Sequence, residues 1–98
     1  MSFSIHIDAP LNPLLEELPV HVRSSLQEQL QTIAEAAEYL PPQDPLWREV
    51  AQPDGDGLRM YVAGCCVRFH LQPENRRVFV AQIGRVRIRL PASLSLSQ

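Results

Sequence analysis

Lysine is absent from this sequence of 98 residues, and all nine of its basic residues are arginines. Cysteine is scarce: Cys65 and Cys66 are neighbours in the chain, so they do not provide a disulfide framework. No apolar run reaches the roughly 18 residues of a membrane-spanning helix, and the first residues lack the basic and long apolar regions of a secretion signal. We therefore expect a cytoplasmic protein with no membrane contact that forms one domain over residues 1–98.

The net charge of −2 conceals an uneven distribution along the chain. Residues 1–56 carry two arginines and ten carboxylates, a net charge of −8, whereas residues 57–98 carry seven arginines and one carboxylate, a net charge of +6. The basic segment should attract phosphates or an acidic polypeptide, and the acidic segment should repel both. The alternative is that the two segments neutralise each other within the folded protein.

The first part of the chain predicts a strand followed by two helices. Phe3, Ile5 and Ile7 alternate with polar residues, as in a half-buried strand. Two apolar stripes at helical spacing follow, and Pro19 separates them because proline interrupts a helix interior but is tolerated in a first turn. We expect a helical hairpin or a kinked helix that ends at Pro41. The stripes are Leu11, Leu14, Leu15 and Leu18, and then Val22, Leu26, Leu30, Ile33, Ala37 and Leu40.

Residues 57–90 predict an antiparallel meander of three strands with turns at Gly64 and at residues 73–75. We expect Gly84 to form a bulge or kink, beyond which the last strand extends toward Leu90. The predicted fold class is α+β: an N-terminal strand, two helices and a three-stranded meander with a C-terminal strand extension, followed by a frayed tail at residues 91–98. Alternation puts three apolar sets each on one face of its strand: Leu58, Met60 and Val62, then Val67, Phe69 and Leu71, then Phe79, Ala81 and Ile83; Arg59, Tyr61, Cys66, Arg68 and His70 face the other way.

The segment at residues 41–56 is rich in proline and glycine and shows no strong period. We expect residues 46–50 to form a short turn or helix that docks Trp47 against the core. The run from Asp54 to Gly57 reads Asp-Gly-Asp-Gly, but the later ligands and the closing glutamate of a calcium-binding loop are missing. A tight turn before a strand is the expected structure.

Cys65, Cys66 and His70 are candidate metal ligands by residue type alone. Neighbouring side chains of a strand point to opposite faces, so Cys65 leaves the group. Cys66 and His70 share a face, but at about 3.3 Å per residue they lie roughly 13 Å apart, too far for one zinc ion. We therefore expect reduced cysteines, no metal site and no cofactor.

Arg85, Arg87 and Arg89 occupy alternate positions of the predicted last strand, and we call them the arginine comb. On one strand face they would repeat every ~6.6 Å and present forked donors suited to phosphates or carboxylates. Arg59 and Arg68 would join them from neighbouring strands if the strand registers agree. The alternative is a solvated edge strand whose charges prevent aggregation.

Catalysis requires groups that arginine does not supply. Cleavage of RNA by its 2′-hydroxyl needs a base and an acid, whereas arginine stays protonated and offers only positive charge. No His, Tyr, Lys, Asp or Glu follows Arg77 in the sequence. Tyr61 and His70 are therefore the candidate catalytic residues, although nothing in the sequence places them beside the arginine comb.

A short strand, two helices and a meander that closes on Ile83-Gly84-Arg85 resemble the RelE/ParE toxin superfamily over roughly residues 3–90. The matching features are Leu18-Pro19 at the start of the second helix, the strand and turn from Arg59 to Gly64, and the Ile83-Gly84-Arg85 ending. The resemblance implies a small toxin encoded beside an antitoxin. RelE-like members cleave messenger RNA on the ribosome, and ParE-like members inhibit DNA gyrase.

The resemblance fails at the positions where RelE-like nucleases keep their catalytic residues. Cys66 and Val86 stand where those nucleases commonly have arginine, and their C-terminal tyrosine or histidine has no counterpart. We therefore expect a toxin or toxin-derived protein that binds through its arginine-rich sheet edge and is neutralised by an acidic antitoxin segment. The alternatives are a ribosome-dependent endoribonuclease that uses Arg59, Arg68 and Arg85 with Tyr61 or His70, and a non-toxic adaptor or oligomerising module. Whether the chain forms a homodimer is left open.

Overall fold

The computed structural model describes residues 3–86. A strand (β1) is followed by two helices (α1 and α2) and then by four strands (β2 to β5), with short 3₁₀ turns between several of them. This succession confirms the predicted α+β class. The bounds are β1 Ser4–Ile7, α1 Asn12–Glu17, α2 Val20–Ala36, β2 Gln52–Asp54, β3 Gly57–Val62, β4 Cys65–Gln72 and β5 Arg77–Arg85.

The strands form one five-stranded sheet in the order β1-β5-β4-β3-β2. β1 pairs with β5 in parallel, and all the other neighbours are antiparallel. The predicted three-stranded meander is confirmed as β3-β4-β5, and β2 adds a short fourth strand ahead of it that the sequence did not predict. β2 has three residues and includes Pro53. Proline has no backbone N–H to donate, and an edge strand tolerates this because one of its sides has no neighbouring strand. So short a strand has no alternation to detect in the sequence.

The helices cover one face of the sheet, and their apolar stripes form the core as predicted. Pro19 separates α1 from α2 and caps the second helix. α2 ends at Ala36, about one turn before the predicted end at Pro41. Its buried residues Val22, Leu26, Leu30, Ile33 and Ala34 pack in one cluster with Met60, Val67, Phe69, Val78 and Val80 of the sheet.

A bulge in β5 overturns part of the predicted strand pattern. Arg68 of β4 pairs with Gln82, but its neighbour Phe69 pairs with Val80, so Ala81 is skipped. The skipped residue reverses the alternation, and Val78 and Val80 are buried instead of Phe79 and Ala81. The predicted bulge at Gly84 is wrong, since Gly84 pairs regularly with Cys66.

Phe79 consequently lies on the opposite side of the sheet from the core. Its ring stacks on that of His6 from β1, with centroids 5.6 Å apart, and the two residues are also paired in the strand register.

Trp47 docks into the core from the loop before β2, as predicted. It is 2% exposed, and its Nε1–H donates to the carbonyl oxygen of Pro41 at 2.9 Å. The surrounding 3₁₀ turn spans Pro45–Glu49, and the Asp44 side chain caps it by accepting from the Leu46 amide at 2.9 Å. This loop therefore has a fixed structure of its own, which places β2 at the edge of the sheet.

The predicted turn at Gly64 is confirmed. Ala63 and Gly64 both have positive φ, 51° and 79°, the backbone of a tight two-residue hairpin between β3 and β4. Arg87, Arg89 and the predicted frayed tail lie outside the described residues. Within residues 3–86, no helix is long and apolar enough to cross a membrane.

Candidate functional site

The face of the sheet opposite the helices carries a cluster of polar side chains. β3 contributes Arg59 and Tyr61, and β4 contributes Cys66, Arg68 and His70, in the orientation that the sequence alternation predicts. Gln82 of β5 lies beside Arg68 in the register. These side chains are exposed or half-buried, and we call the surface that they form the open face.

Arg59 and Arg68 are direct cross-strand partners at the centre of the open face. Directly opposed residues on one face have Cβ atoms about 4.5–5.5 Å apart, so two positive side chains are held side by side. The carboxylate of Asp54 lies within reach of both: its Oδ2 is 4.0 Å from Arg59 Nη1 and 3.6 Å from Arg68 Nε. Asp54 reaches them because β2 pairs Gln52 with Arg59, and Asp54 is two residues along the same face.

Asp56 completes this arrangement from the turn between β2 and β3. Its Oδ1 is 3.5 Å from Arg68 Nη2 and 3.7 Å from His70 Nδ1. We call residues 54–57 the acidic turn. Its two carboxylates contact the two arginines and the histidine of the open face, so the cluster has two guanidinium groups opposed by two acids.

Two glycines allow the acidic turn to lie this close to the open face. Gly55 has a φ of 63°, and a Cβ there would lie 3.3 Å from Arg68 Nη2. A Cβ at Gly57 would lie 2.8 Å from both His70 Cε1 and the carbonyl oxygen of Phe69, closer than real contacts allow. In the Asp-Gly-Asp-Gly sequence, the two aspartates thus face Arg59, Arg68 and His70, and the two glycines lie where a side chain would collide with β4.

A cleft of about 490 Å³ opens beside the arginine pair. A second cleft, of about 340 Å³, surrounds the C-terminal end of α2 and shares no residue with the open face. The first cleft therefore belongs to the candidate site and gives a ligand access to Arg59 and Arg68. Its lining residues are Leu11, Asp54, Arg59, Cys66, Arg68, Gln82, Ile83 and Gly84.

The two candidate catalytic residues lie on either side of the arginine pair. Tyr61 is two residues from Arg59 on β3, and His70 is two residues from Arg68 on β4, so each is about 6.6 Å along its strand from an arginine of the same face. Tyr61 is 58% exposed, whereas His70 is held against Gly57 and Asp56. The structure therefore brings together Arg59, Arg68, Tyr61 and His70, which the sequence alone does not place.

The strand registers do not bring Arg85 into this group. Arg85 pairs with Cys65, and Ile83 pairs with Val67. Cys65, Val67 and Ile83 are all buried on the core side of the sheet. Alternation along β5 therefore assigns the exposed Arg85 to the opposite side from Arg59 and Arg68. Arg85 therefore does not join Arg59 and Arg68 on one face, as the sequence left conditional on the strand register; Arg87 and Arg89 lie outside the described residues.

The cysteines occupy opposite faces, as the alternation predicts. Cys65 is fully buried, Cys66 is half-buried in the cleft, and both are free thiols. Within the described part of the chain, no group of three or more His, Cys, Asp or Glu side chains is arranged to hold a metal ion.

Asp54 and Asp56 are the site residues that sequence reasoning missed. The sequence predicts the tight turn but not a strand before it. In the hairpin that this strand forms, Gln52 pairs with Arg59, and Asp54, two residues after Gln52, lies on the same face as Arg59. The unrecognised strand β2 is therefore the reason for the omission.

Comparison with solved structures assigns this arrangement of helices and sheet to the class of RelE-type toxin folds. The isolated RelE toxin of E. coli matches with a TM-score of 0.64 over 89% of this chain and 87% of that chain, at 17% identity. The toxin–antitoxin complex RelBE2 from Mycobacterium tuberculosis matches with a TM-score of 0.64 over 87% of this chain and 99% of that one, at 9% identity. An archaeal RelE–RelB complex from Pyrococcus horikoshii matches with a TM-score of 0.56 over 87% and 96% of the two chains, at 15% identity.

The chain therefore has the RelE toxin fold, and the resemblance to the RelE/ParE superfamily is confirmed at the level of the fold. No protein-family model and no curated protein matches the sequence. The likeness to RelE toxins is therefore a likeness of fold, at 9–17% sequence identity.

Proposed function

We propose that this chain is a toxin-like component of a toxin–antitoxin system and that it works by binding an anionic ligand through the open face. The observation that supports this is the clustering of Arg59, Arg68, Tyr61 and His70 on the helix-free side of a RelE-type sheet. Paired guanidinium groups suit phosphates and carboxylates because they offer several donors in a fixed plane. The adjoining cleft supplies the concave surface that ligand sites usually have.

An antitoxin is the partner that this proposal implies. Two of the similar structures are complexes of a RelE-type toxin with its antitoxin. The net charge of +6 over residues 57–98 favours an acidic antitoxin segment, which would add a strand to the sheet or lay an amphipathic helix across it. Arg85 lies on the other side of the sheet, and a contribution of Arg87 and Arg89 to binding stays a prediction, because both lie outside the described residues.

Growth of cells that express the protein tests this proposal. Expressed alone from an inducible promoter, the chain should arrest growth, and co-expression with the product of the adjacent open reading frame should restore it. The two products should then co-purify, less strongly as salt is raised, because exposed charge pairs are screened. Uninterrupted growth, with no antitoxin gene beside the coding sequence, would favour a stand-alone adaptor that has kept only the fold.

A second candidate function is ribosome-dependent cleavage of messenger RNA, and the position of Tyr61 and His70 favours it. Transfer of a proton from the 2′-hydroxyl needs a base, and the leaving oxygen needs an acid. Tyr61 and His70 flank the arginine pair on one face, and Arg59 and Arg68 would stabilise the negative charge that develops on the phosphorus oxygens. Tyr61 and His70 would thus transfer protons in a site where Cys66 and Val86 stand at positions that are commonly arginine in RelE-like nucleases.

Cleavage of a messenger RNA in a translation extract tests the second candidate. His70→Ala and Tyr61→Phe should each abolish cleavage if these side chains transfer protons. His21→Ala on α2 and Tyr39→Phe, 83% exposed and outside the open face, are the matched controls and should cleave normally. Growth arrest without RNA cleavage would instead direct the search toward another target, such as DNA gyrase.

A further inference from the structure

We propose that the acidic turn is an intramolecular competitor, which occupies the phosphate-binding groups of the open face until a ligand displaces it. This inference rests on the proposed function, because it takes the open face to be an anion-binding surface. It concerns regulation of that surface by the chain's own residues Asp54 and Asp56.

The carboxylates already occupy the position that a bound phosphate would take. One oxygen of Asp54 lies within 4.0 Å of both Arg59 and Arg68, so a single anion sits between two guanidinium groups. Asp56 engages the remaining side of Arg68 and faces His70. A phosphate held by the same arginine pair would have to remove these carboxylates, since both anions need the same donors.

The contacts are loose enough for such displacement. The ion pairs are 3.5 to 4.0 Å long, whereas charge-assisted hydrogen bonds are about 2.7–2.9 Å. Within the described residues, the inaccessible Nε atoms of Arg59 and Arg68 have no hydrogen-bond partner. The side chain of Asp56 is 86% exposed, and pairs this accessible to solvent are weak. Arg68 Nη2 also donates a long hydrogen bond to the Asp54 carbonyl oxygen at 3.5 Å, so the acidic turn neutralises the arginines while leaving both Nε donors without a hydrogen-bond partner in this part of the chain.

The backbone of the turn is shaped for this contact. Gly55 and Gly57 permit the approach to Arg68 and His70, as shown by the distances that a Cβ would have at each position. A purely structural turn between β2 and β3 would need glycine at Gly55, where φ is positive, and would suit aspartate at Asp56 as a common turn residue. Turn formation alone does not explain Asp54, which lies in β2 and faces the arginine pair. A role in offsetting repulsion between Arg59 and Arg68 is the competing explanation, and the two roles predict different measurements.

Binding of a fluorescein-labelled oligouridylate at low salt, followed by fluorescence anisotropy, tests the inference in the full chain. Asp54→Asn/Asp56→Asn should bind about tenfold more tightly than the wild type, a difference of ~1.4 kcal/mol, because the donors of both arginines are then free for the ligand. Glu28→Gln/Glu35→Gln makes the same change in net charge on an exposed side of α2 and should change affinity by less than about twofold.

A double-mutant cycle separates competition from long-range repulsion. In an Arg59→Ala/Arg68→Ala background, the two aspartate substitutions should no longer tighten binding, because no donors remain to be released. A gain of equal size in that background would overturn the inference in favour of simple repulsion. A loss of stability in Asp54→Asn/Asp56→Asn without any gain in affinity would overturn it in favour of a structural role.

A measurement on the unsubstituted protein covers the case in which a variant fails to fold. On titration with the same oligouridylate, the carboxyl carbon resonances of Asp54 and Asp56 should shift, while those of Glu28 and Glu35 stay fixed. Binding without a shift would overturn the competitor. If neither the wild type nor any folded variant binds, the anion-binding role of the open face fails as well, whereas binding by the wild type with no effect of the aspartates removes only the competitor.

Discussion

Arg59 lies directly opposite Arg68 in the register of β3 and β4. Like charges placed directly across two strands destabilise a sheet, so this pairing needs a compensating anion. Asp54, on the neighbouring strand, lies 4.0 Å and 3.6 Å from the two side chains, and whether it only offsets their repulsion or also competes with a ligand is what the double-mutant cycle decides. The proposed function and the competitor both rest on this pair of closely spaced guanidinium groups beside an open cleft.

Substitution of Gly57 tests whether the acidic turn needs its close approach to β4. Gly57→Ala should lower the free energy of unfolding by about 1–3 kcal/mol, because the added Cβ would meet the Phe69 carbonyl and the His70 ring at 2.8 Å. Gly84→Ala is the matched control in the same sheet, since nothing lies within 4 Å of a Cβ there. It should leave stability unchanged or raise it by roughly 0.5–1 kcal/mol.

Chemical denaturation followed by circular dichroism measures both glycine variants. Equal stability of Gly57→Ala and the wild type would show that His70 and the turn are not packed as described.

Thiol labelling tests which face each cysteine occupies. An aromatic disulfide reagent should modify Cys66 in the native protein, because this residue is half-buried in the cleft, and should reach the fully buried Cys65 only after unfolding. Cys66→Ser should therefore abolish native labelling, whereas Cys65→Ser should leave it intact. Rapid native modification of Cys65 would contradict the assignment of β4 faces. An oligouridylate bound in the cleft should slow the labelling of Cys66.

Truncation of Trp47 tests the docking of the loop before β2. Trp47→Ala should cost about 3–5 kcal/mol of unfolding free energy, since the side chain is 2% exposed and its Nε1–H donates to Pro41. Leu46→Ala, next to it in the same 3₁₀ turn but 59% exposed, should cost less than about 0.5 kcal/mol. Urea midpoints read by circular dichroism suit both variants, because fluorescence is lost with the single tryptophan. Similar costs for the two would mean that the loop is not anchored through Trp47.

The elements with strong periodicity could be predicted from the sequence. The α2 stripe and the alternation in β3 and β4 each repeat over enough residues to identify the buried side, and the structure buries that side. β2 is too short for any period, and the bulge at Ala81 depends on pairing between strands, which one strand's sequence does not encode. These two features account for the missing strand and for the reversed positions of Phe79 and Ala81.

The same reasons explain how far the candidate site could be predicted. Arg59, Tyr61, Arg68 and His70 were assignable to one side of their own strands, since alternation within a strand is local. Their position relative to Arg85 depends on the register between β4 and β5, and their ion pairs with Asp54 and Asp56 depend on β2. The sequence alone therefore identifies these four side chains but not the residues that surround them in the folded protein.

The most direct test of the open face compares growth after induction of the wild type, Arg59→Ala/Arg68→Ala and the control Arg23→Ala/Arg48→Ala, at matched protein levels. Arg23 lies on α2 and Arg48 in the 3₁₀ turn before β2, and neither lines the cleft beside Arg59 and Arg68, so the control removes equal charge away from that cleft. We predict that the wild type and the control arrest growth and that the open-face variant does not. Arrest by the open-face variant equal to that of the wild type, or no arrest by the wild type, would contradict the account.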